Sequence, residues 1–319
     1  MKKLLLALLL DAAVRADVLL VVTKVDNSLT FIDPVTMKVT GKVPVGEGPH
    51  EVAASTDGRI AVVSNYGTGP KPGSSLSIID VAAKKEKRRL QLPGLLRPHG
   101  LFAIGSKIYL TCEGSRAVAR YDVASDSVDW IAGIGQETTH MVVVQTGEKK
   151  IYTTDISSDT VSSVDLSSAP VKFPLKHIPV GKGPEGIAIS PDGKEVWAAQ
   201  RGDGNIAVID TATDKVARTI PAGKLPFRLQ FTPDNKRVIV TDAVARELLV
   251  YDAATKEIVA HIPMEEDPVG LVLSADGKKV FISHTGAAKV AAVDLETMKV
   301  LGAATTAEQP DGLAYAVGR

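Results

Sequence analysis

Short runs of alternating apolar and polar residues recur along most of the chain, separated by turns rich in Gly, Pro, Asp and Ser. Alternation with a period of two predicts half-buried strands, and no stretch sustains the periodicity of an amphipathic helix. One run marks the repeat. It is β-branched, ends in Asp and is followed three residues later by Ser or Thr: FIDPVT at Asp33, RYDVAS at Asp122, SVDLSS at Asp165, VIDTAT at Asp210, VYDAAT at Asp252 and AVDLET at Asp294. IIDVAA at Asp80 keeps the Asp but has Ala83 at the hydroxyl position. Successive Asp residues are 47, 42, 43, 45, 42 and 42 positions apart. A repeat of this length built from strands predicts one four-stranded propeller blade per unit. The Asp carboxylates are expected to accept backbone N–H groups of the turn that follows, which is a structural role.

Each repeat has the same order of parts. A Pro-led inner strand comes first, as in GPHEVAA, RPHGLFA, GPEGIAI, LPFRLQF and DPVGLVL. A tight turn (STDG, SPDG, TPDN or SADG), a second strand, the Asp-terminated third strand and a short fourth strand follow. The chain ends on one more inner strand, QPDGLAYA, and its segment DVLLVVTK is a second strand with no inner strand before it. Joining the two completes a seventh blade and removes two open sheet edges. The predicted fold is all-β: a seven-bladed β-propeller with four antiparallel strands per blade, closed by pairing of the N- and C-terminal segments. Residues 17–319 form its single domain.

The first residues break the pattern. Lys2 and Lys3 precede an apolar run from Leu4 to Leu10, and Val14-Arg15-Ala16 puts small or modest residues where a signal peptidase reads. Residues 1–16 are therefore expected to be a cleavable signal peptide, which places the protein in the periplasm or outside the cell. Asp11 and Arg15 are unusual in such a segment, and a buried N-terminal helix is the other reading. The apolar run is too short to span a bilayer, so no membrane span is expected. Exported protein should begin at Asp17 on N-terminal sequencing; a chain retaining residues 1–16 would defeat the targeting argument.

Composition narrows the chemistry. The formal charge is zero, which favours neither nucleic acid nor an anionic membrane surface. The run KKEKRRL at 84–90 has no interleaved aromatics to stack bases and reads as a charged edge that blocks aggregation. Nucleic acid is thus not an expected partner. The single cysteine, Cys112, excludes an intrachain disulfide.

These repeats resemble the YVTN β-propeller family, named for a Tyr-Val-Thr-Asn tetrapeptide at the end of the second strand. GKGPEGIAISPDGKEVWAAQ followed by IAVIDTATDKV carries the resemblance best, and IYTTD, VIVTD and VVSNY are relatives of the tetrapeptide. The resemblance covers residues 17–319 and implies the propeller fold. Similar propellers include surface-layer proteins, nucleic-acid binders, lactonase-like enzymes and quinoprotein amine dehydrogenase β-chain-like subunits, so it implies no single function.

In a propeller of this order, the start of each inner strand and the loop after each second strand share one face, around the channel mouth. The residue after the inner-strand Pro is His50, His99, His140 (where Thr139 replaces Pro), Glu185, Phe227, Val269 and Asp311 around the ring. Ring closure makes Asp311 a neighbour of His50, and three of the six histidines occupy one structural position. His50, His99, His140 and Glu185 are a suitable set for zinc, copper or iron. The alternative is that each ring bonds only to a neighbouring blade. The next position is Glu51, Gly100, Met141, Gly186, Arg228, Gly270 and Gly312. Its glycines suit close approach of backbones, and Arg228 is expected to pair with Glu185 or Asp311, or to hold a carboxylate or phosphate. Second-strand ends add Asn65, Tyr66, Glu113, Asp155, Arg201, Asp242 and His284. The insertion NYGTGPKPGSS from Asn65 is either a rim over the mouth or drift in a surface loop.

Two function classes stand on this reading. One is an exported, monomeric binding or interaction module that presents its loop-rich top face to a small molecule, a metal or a protein. The other is a propeller enzyme, a lactonase-like hydrolase or a metal-assisted lyase, using His50, His99, His140 and Glu185. No recognised catalytic motif is present, which favours the first.

Overall fold

The computed structural model describes residues 15–167 and 173–318. The targeting segment expected over residues 1–16 lies almost wholly outside them. Among the described residues no helix is long and apolar enough to cross a membrane.

The alternating segments form seven four-stranded antiparallel sheets. Blades 1 to 6 each run from inner to outer strand in chain order. Their inner strands are Pro49–Ala54, Pro98–Ile104, Thr139–Val144, Pro184–Ile189, Pro226–Phe231 and Leu271–Leu273. The closing blade pairs Pro310–Ala316 as inner strand with Val18–Thr23 as second strand, in the register Val18–Ala316, Leu19–Tyr315, Leu20–Ala314 and Val21–Leu313. Leu19, Leu20, Val21 and Val22 are completely buried there. Tyr315 donates its hydroxyl to Asp17, and the Gly318 amide donates to the same carboxylate, each at 2.7 Å.

Apolar side chains pack between neighbouring blades. Trp197 of blade 4, for example, meets Phe231 and Tyr251 of blade 5 edge-on at 5.4 and 5.7 Å. Each of the seven repeat Asp residues accepts at least one backbone N–H from the turn after it, as between Asp33 and Val35, Asp252 and Thr255, or Asp294 and Thr297. The same bond forms from Ala83 to Asp80, although the hydroxyl is missing. The carboxylate is therefore what the turn needs, and the Ser or Thr is an addition.

One local irregularity positions the candidate site residues. In blades 1 to 5, the strand-leading residue pairs with the end of the second strand, and the register then slips by one: Pro49–Asn65 is followed by Val52–Val63, and Pro98–Cys112 by Leu101–Leu110. The closing blade slips likewise between Thr23 and Val21. The two bulged residues are the two positions singled out in the sequence, such as His50 and Glu51. A bulge re-aims side chains that a regular strand would send to opposite faces.

A hydroxyl holds the bulge in four blades and the matching amide in blade 6. The amides of Glu51, Gly100, Met141, Arg228 and Gly270 donate to Ser64, Thr111, Thr154, Thr241 and Ser283. Three of these hydroxyls then donate onward to the next inner strand: Thr111 to the His140 carbonyl, Thr154 to that of Glu185 and Thr241 to that of Val269. In these three blades the third residue of the tetrapeptide thus ties one blade to the next. At the second bulge position, glycine is a steric requirement. A Cβ on Gly100, Gly186 or Gly312 would come within 2.6 Å of a backbone oxygen of the following blade. The space released admits the longer Met141, Arg228 and Glu51 beside them.

Candidate functional site at the channel mouth

The bulged histidines and Tyr66 form one row of tilted rings. Ring centroids are 4.4 Å apart for Tyr66 and His50, 5.0 Å for His50 and His99, and 4.0 Å for His99 and His140. Asn65 is not free for a ligand: its side chain is buried and bonds Ser75 and Ser77 within its own hairpin. The long insertion is an extension of that hairpin, paired as far as Gly67 and Pro72. Arg97 secures it, donating to the carbonyls of Thr68 and Gly69 while its guanidinium lies 5.0 Å from the Tyr66 ring centre.

The histidines are not equivalent. His50 donates from Nδ1 to the Gly48 carbonyl at 3.0 Å, which leaves the lone pair on Nε2. Burial, helped by the Lys24 charge, lowers its pKa to about 4. His99 is buried, and its Nδ1 has no hydrogen-bond partner. Burial and the neighbouring His140 push its pKa well below the usual value, so it too is neutral.

His140 is the opposite case. Nδ1 bonds Glu113 at 2.5 Å and Nε2 bonds Glu185 at 2.6 Å. Burial alone would lower its pKa, but the Glu185 charge and the bonds to both carboxylates prevail and hold it at about 9. The ring is an imidazolium at neutral pH. Its contribution to stability is complete below the unfolded-state value near 6.5 and is lost as pH rises through about 9. The protein should therefore lose on the order of 1–3 kcal/mol between pH ~7 and ~10 beyond what His140→Gln loses over the same range. Parallel thermal melts with chelator present test this, and identical pH profiles would refute the imidazolium assignment.

Glu185 collects three cationic partners: His140, Arg201 at 2.7 Å and Arg228 at 2.8 Å. Burial opposes its ionisation, but these charges hold its carboxyl well below the usual range. Arg228 donates its other arm to Glu51 at 2.9 Å, so one guanidinium links blade 5 to blade 1 across the axis. Arg228 thus makes an ion pair, with Glu51 as a partner beside the expected Glu185. Asp311 pairs with Lys24 at 2.6 Å instead. Glu51 has Arg228 alone, and burial pushes its carboxyl up against that pull.

The mouth therefore gathers His50, His99, His140, Glu51, Glu185, Arg228 and Tyr66, with Asp311 beside them on Lys24. His284 is buried with both ring nitrogens unpartnered, and no hydrogen bond, ion pair or ring contact among the described residues joins it to the others. Ligand atoms of His99, Glu113 and His140 lie within 4.8 Å of one another. Glu113 stood among the second-strand ends in the sequence but outside the proposed metal set. It belongs here because its carboxylate bridges Tyr66, at 2.5 Å, and His140. A short 3₁₀ turn, Glu113–Ser115, immediately after the second strand places it.

Residues 104–234 match the YNCE-like beta-propeller family. That match and the seven-bladed architecture agree with the YVTN-type resemblance of the repeats. Over 162 residues the chain is 30% identical to antigen Lp49 of Leptospira interrogans, a stretch covering 44% of this chain and 35% of the antigen. The chain thus spans about a third of the length of that curated relative. Among solved structures, it superposes on a protein of unknown function from Desulfotomaculum acetoxidans with a TM-score of 0.80 at 15% identity, covering 94% of this chain and 98% of that one. The values are 0.75, 12%, 94% and 100% for a protein assigned as a 6-phosphogluconolactonase from Bacteroides uniformis. For Kuenenia stuttgartiensis hydrazine synthase they are 0.70, 18%, 84% and 89%. Identities this low establish a shared fold and nothing about chemistry.

Proposed function

We propose that this chain is an exported binding module whose working surface is the channel mouth, and that the mouth holds a divalent transition-metal ion, zinc or copper. The convergence of His99, Glu113 and His140 carries the reading. His99 is neutral with a buried, unpartnered nitrogen, a group that costs free energy unless something binds it. A divalent ion held by His99, Glu113 and His140 would displace the proton on His140 Nδ1. Nε2–H of His140 then stays on Glu185, which Arg201 and Arg228 hold in place. A carboxylate behind a ligating histidine is the usual way to fix such a ring. Glu185 accordingly orients the site, and Glu113 takes the ligand position assigned to Glu185 from the sequence. His50 offers Nε2 next to the set. The antigen designation of the Leptospira relative is in keeping with an exported protein.

Zinc and copper titrations test the site. His99→Ala, His140→Ala and Glu113→Gln should each lower affinity at least about tenfold, and the double histidine variant should add little, because the donors act as one unit. His284→Ala, outside the set, should leave affinity unchanged. Binding should release about one proton at pH 7.5, read from the buffer dependence of the binding heat. Equal affinity across the set would reject the metal site.

A further inference from the structure

Beneath the mouth lies a cavity of about 430 Å³, lined by residues of all seven inner strands. Its upper end is the Arg228 bridge between Glu51 and Glu185, and Glu51 and Arg228 are both part of its wall. Its other end reaches the exposed turn residues Thr146 and Pro191 on the opposite face. Between these ends the wall is mainly aliphatic and aromatic. Leu101, Phe102, Met141, Leu271 and Val272 contribute, and each is only half-buried because it faces this space. Central bores of propellers do not need such a lining for stability. Apolar side chains left facing a bore of this size forgo burial that filling would supply.

The upper end sets the polarity of an occupant. A guanidinium has five N–H groups, and Arg228 uses two of them on Glu185 and Glu51. The remaining donors call for an acceptor. Arg228 already pairs with Glu185 and Glu51, so an added anion would have to compete with both carboxylates for its guanidinium. An added cation would sit beside the guanidinium. Both are costly beside a mainly apolar wall.

We propose that the channel is a second binding site, for a neutral and largely apolar small molecule with a carbonyl oxygen at one end. The carbonyl accepts from Arg228, and the apolar body lies along Leu101, Phe102, Leu271 and Val272. The occupant enters from the face opposite the metal site, since the ion-paired bridge closes the upper end. This proposal does not depend on metal binding, because none of His99, Glu113 or His140 lines the cavity.

Nonan-2-one and nonanoate are the probes, titrated by calorimetry into the full chain treated with chelator. The ketone should bind saturably, and nonanoate at pH ~8 at least about tenfold more weakly. Two variants fill the bore from different strands, Ala103→Phe and Val272→Phe, and thermal melts check that each is folded. Each folded variant should lower ketone affinity at least about tenfold. The proposal is overturned if the ketone shows no saturable binding, if nonanoate binds as tightly as the ketone, or if a folded filled variant binds the ketone like the wild type.

Discussion

Deleting residues 308–319 is expected to abolish cooperative folding. The deleted segment contains Pro310–Ala316, the inner strand of the closing blade. It is the hydrogen-bonding partner of Val18–Thr23, whose Leu19 to Val22 are fully buried. It also supplies Leu313, Ala314 and Ala316 to the packing between blades. Without it, the second strand becomes an exposed edge, Lys24 loses Asp311, and Asp17 loses both Tyr315 and Gly318. A single buried leucine cut to alanine costs roughly 2–5 kcal/mol, and a domain holds roughly 5–15 kcal/mol in all. Losing a strand of seven residues exceeds that reserve. Denaturant unfolding followed by fluorescence and far-ultraviolet circular dichroism measures it. The full chain should give one sharp transition, and the truncated chain a broad one with a smaller m-value or none. Equal midpoints and slopes would show that the ring does not depend on this closure.

Replacing Arg228 with Ala should cost about 3–5 kcal/mol, the usual penalty for stripping one partner from a buried ion pair. The two carboxylates it serves will not suffer alike. Glu185 keeps His140 and Arg201, whereas Glu51 is left buried with no cation. Most of the cost should therefore reside at Glu51, and Arg228→Ala combined with Glu51→Gln should recover about half or more of it. Glu51→Gln alone should cost less than Arg228→Ala, because burial works against the Glu51 carboxylate even beside Arg228. A single variant within about 1 kcal/mol of wild type would refute the account, as would a double variant no more stable than the single.

Particular residues show how far the sequence could be read. The repeat Asp residues, the missing strand at each end and the ring position of His50, His99 and His140 were all visible as spacing. Spacing is preserved when each blade is a local unit of sequential antiparallel strands. The partner of Arg228 was only half visible. Glu185 is on the adjacent blade and was expected, but Glu51 lies across the axis, 177 residues away. Glu113 was missed as a ligand because a 3₁₀ turn swings it inward, and nothing in its spacing signals the direction of a single side chain.

The protonation of the histidines was also hidden. Three residues equivalent in the repeat differ because His50 faces a carbonyl, His99 faces no partner, and His140 lies between two carboxylates. The sequence by itself determined the strands, their count, the closure of the ring and which residues lead its inner strands. Those follow from local periodicity and from the need to bury every apolar face and pair every edge. Only the tertiary structure decided which of those residues touch, which are charged, and that an Arg228 bridge separates the mouth from an apolar channel. Those depend on bulges that re-aim consecutive side chains, on glycines that admit their neighbours, and on desolvation across the ring axis.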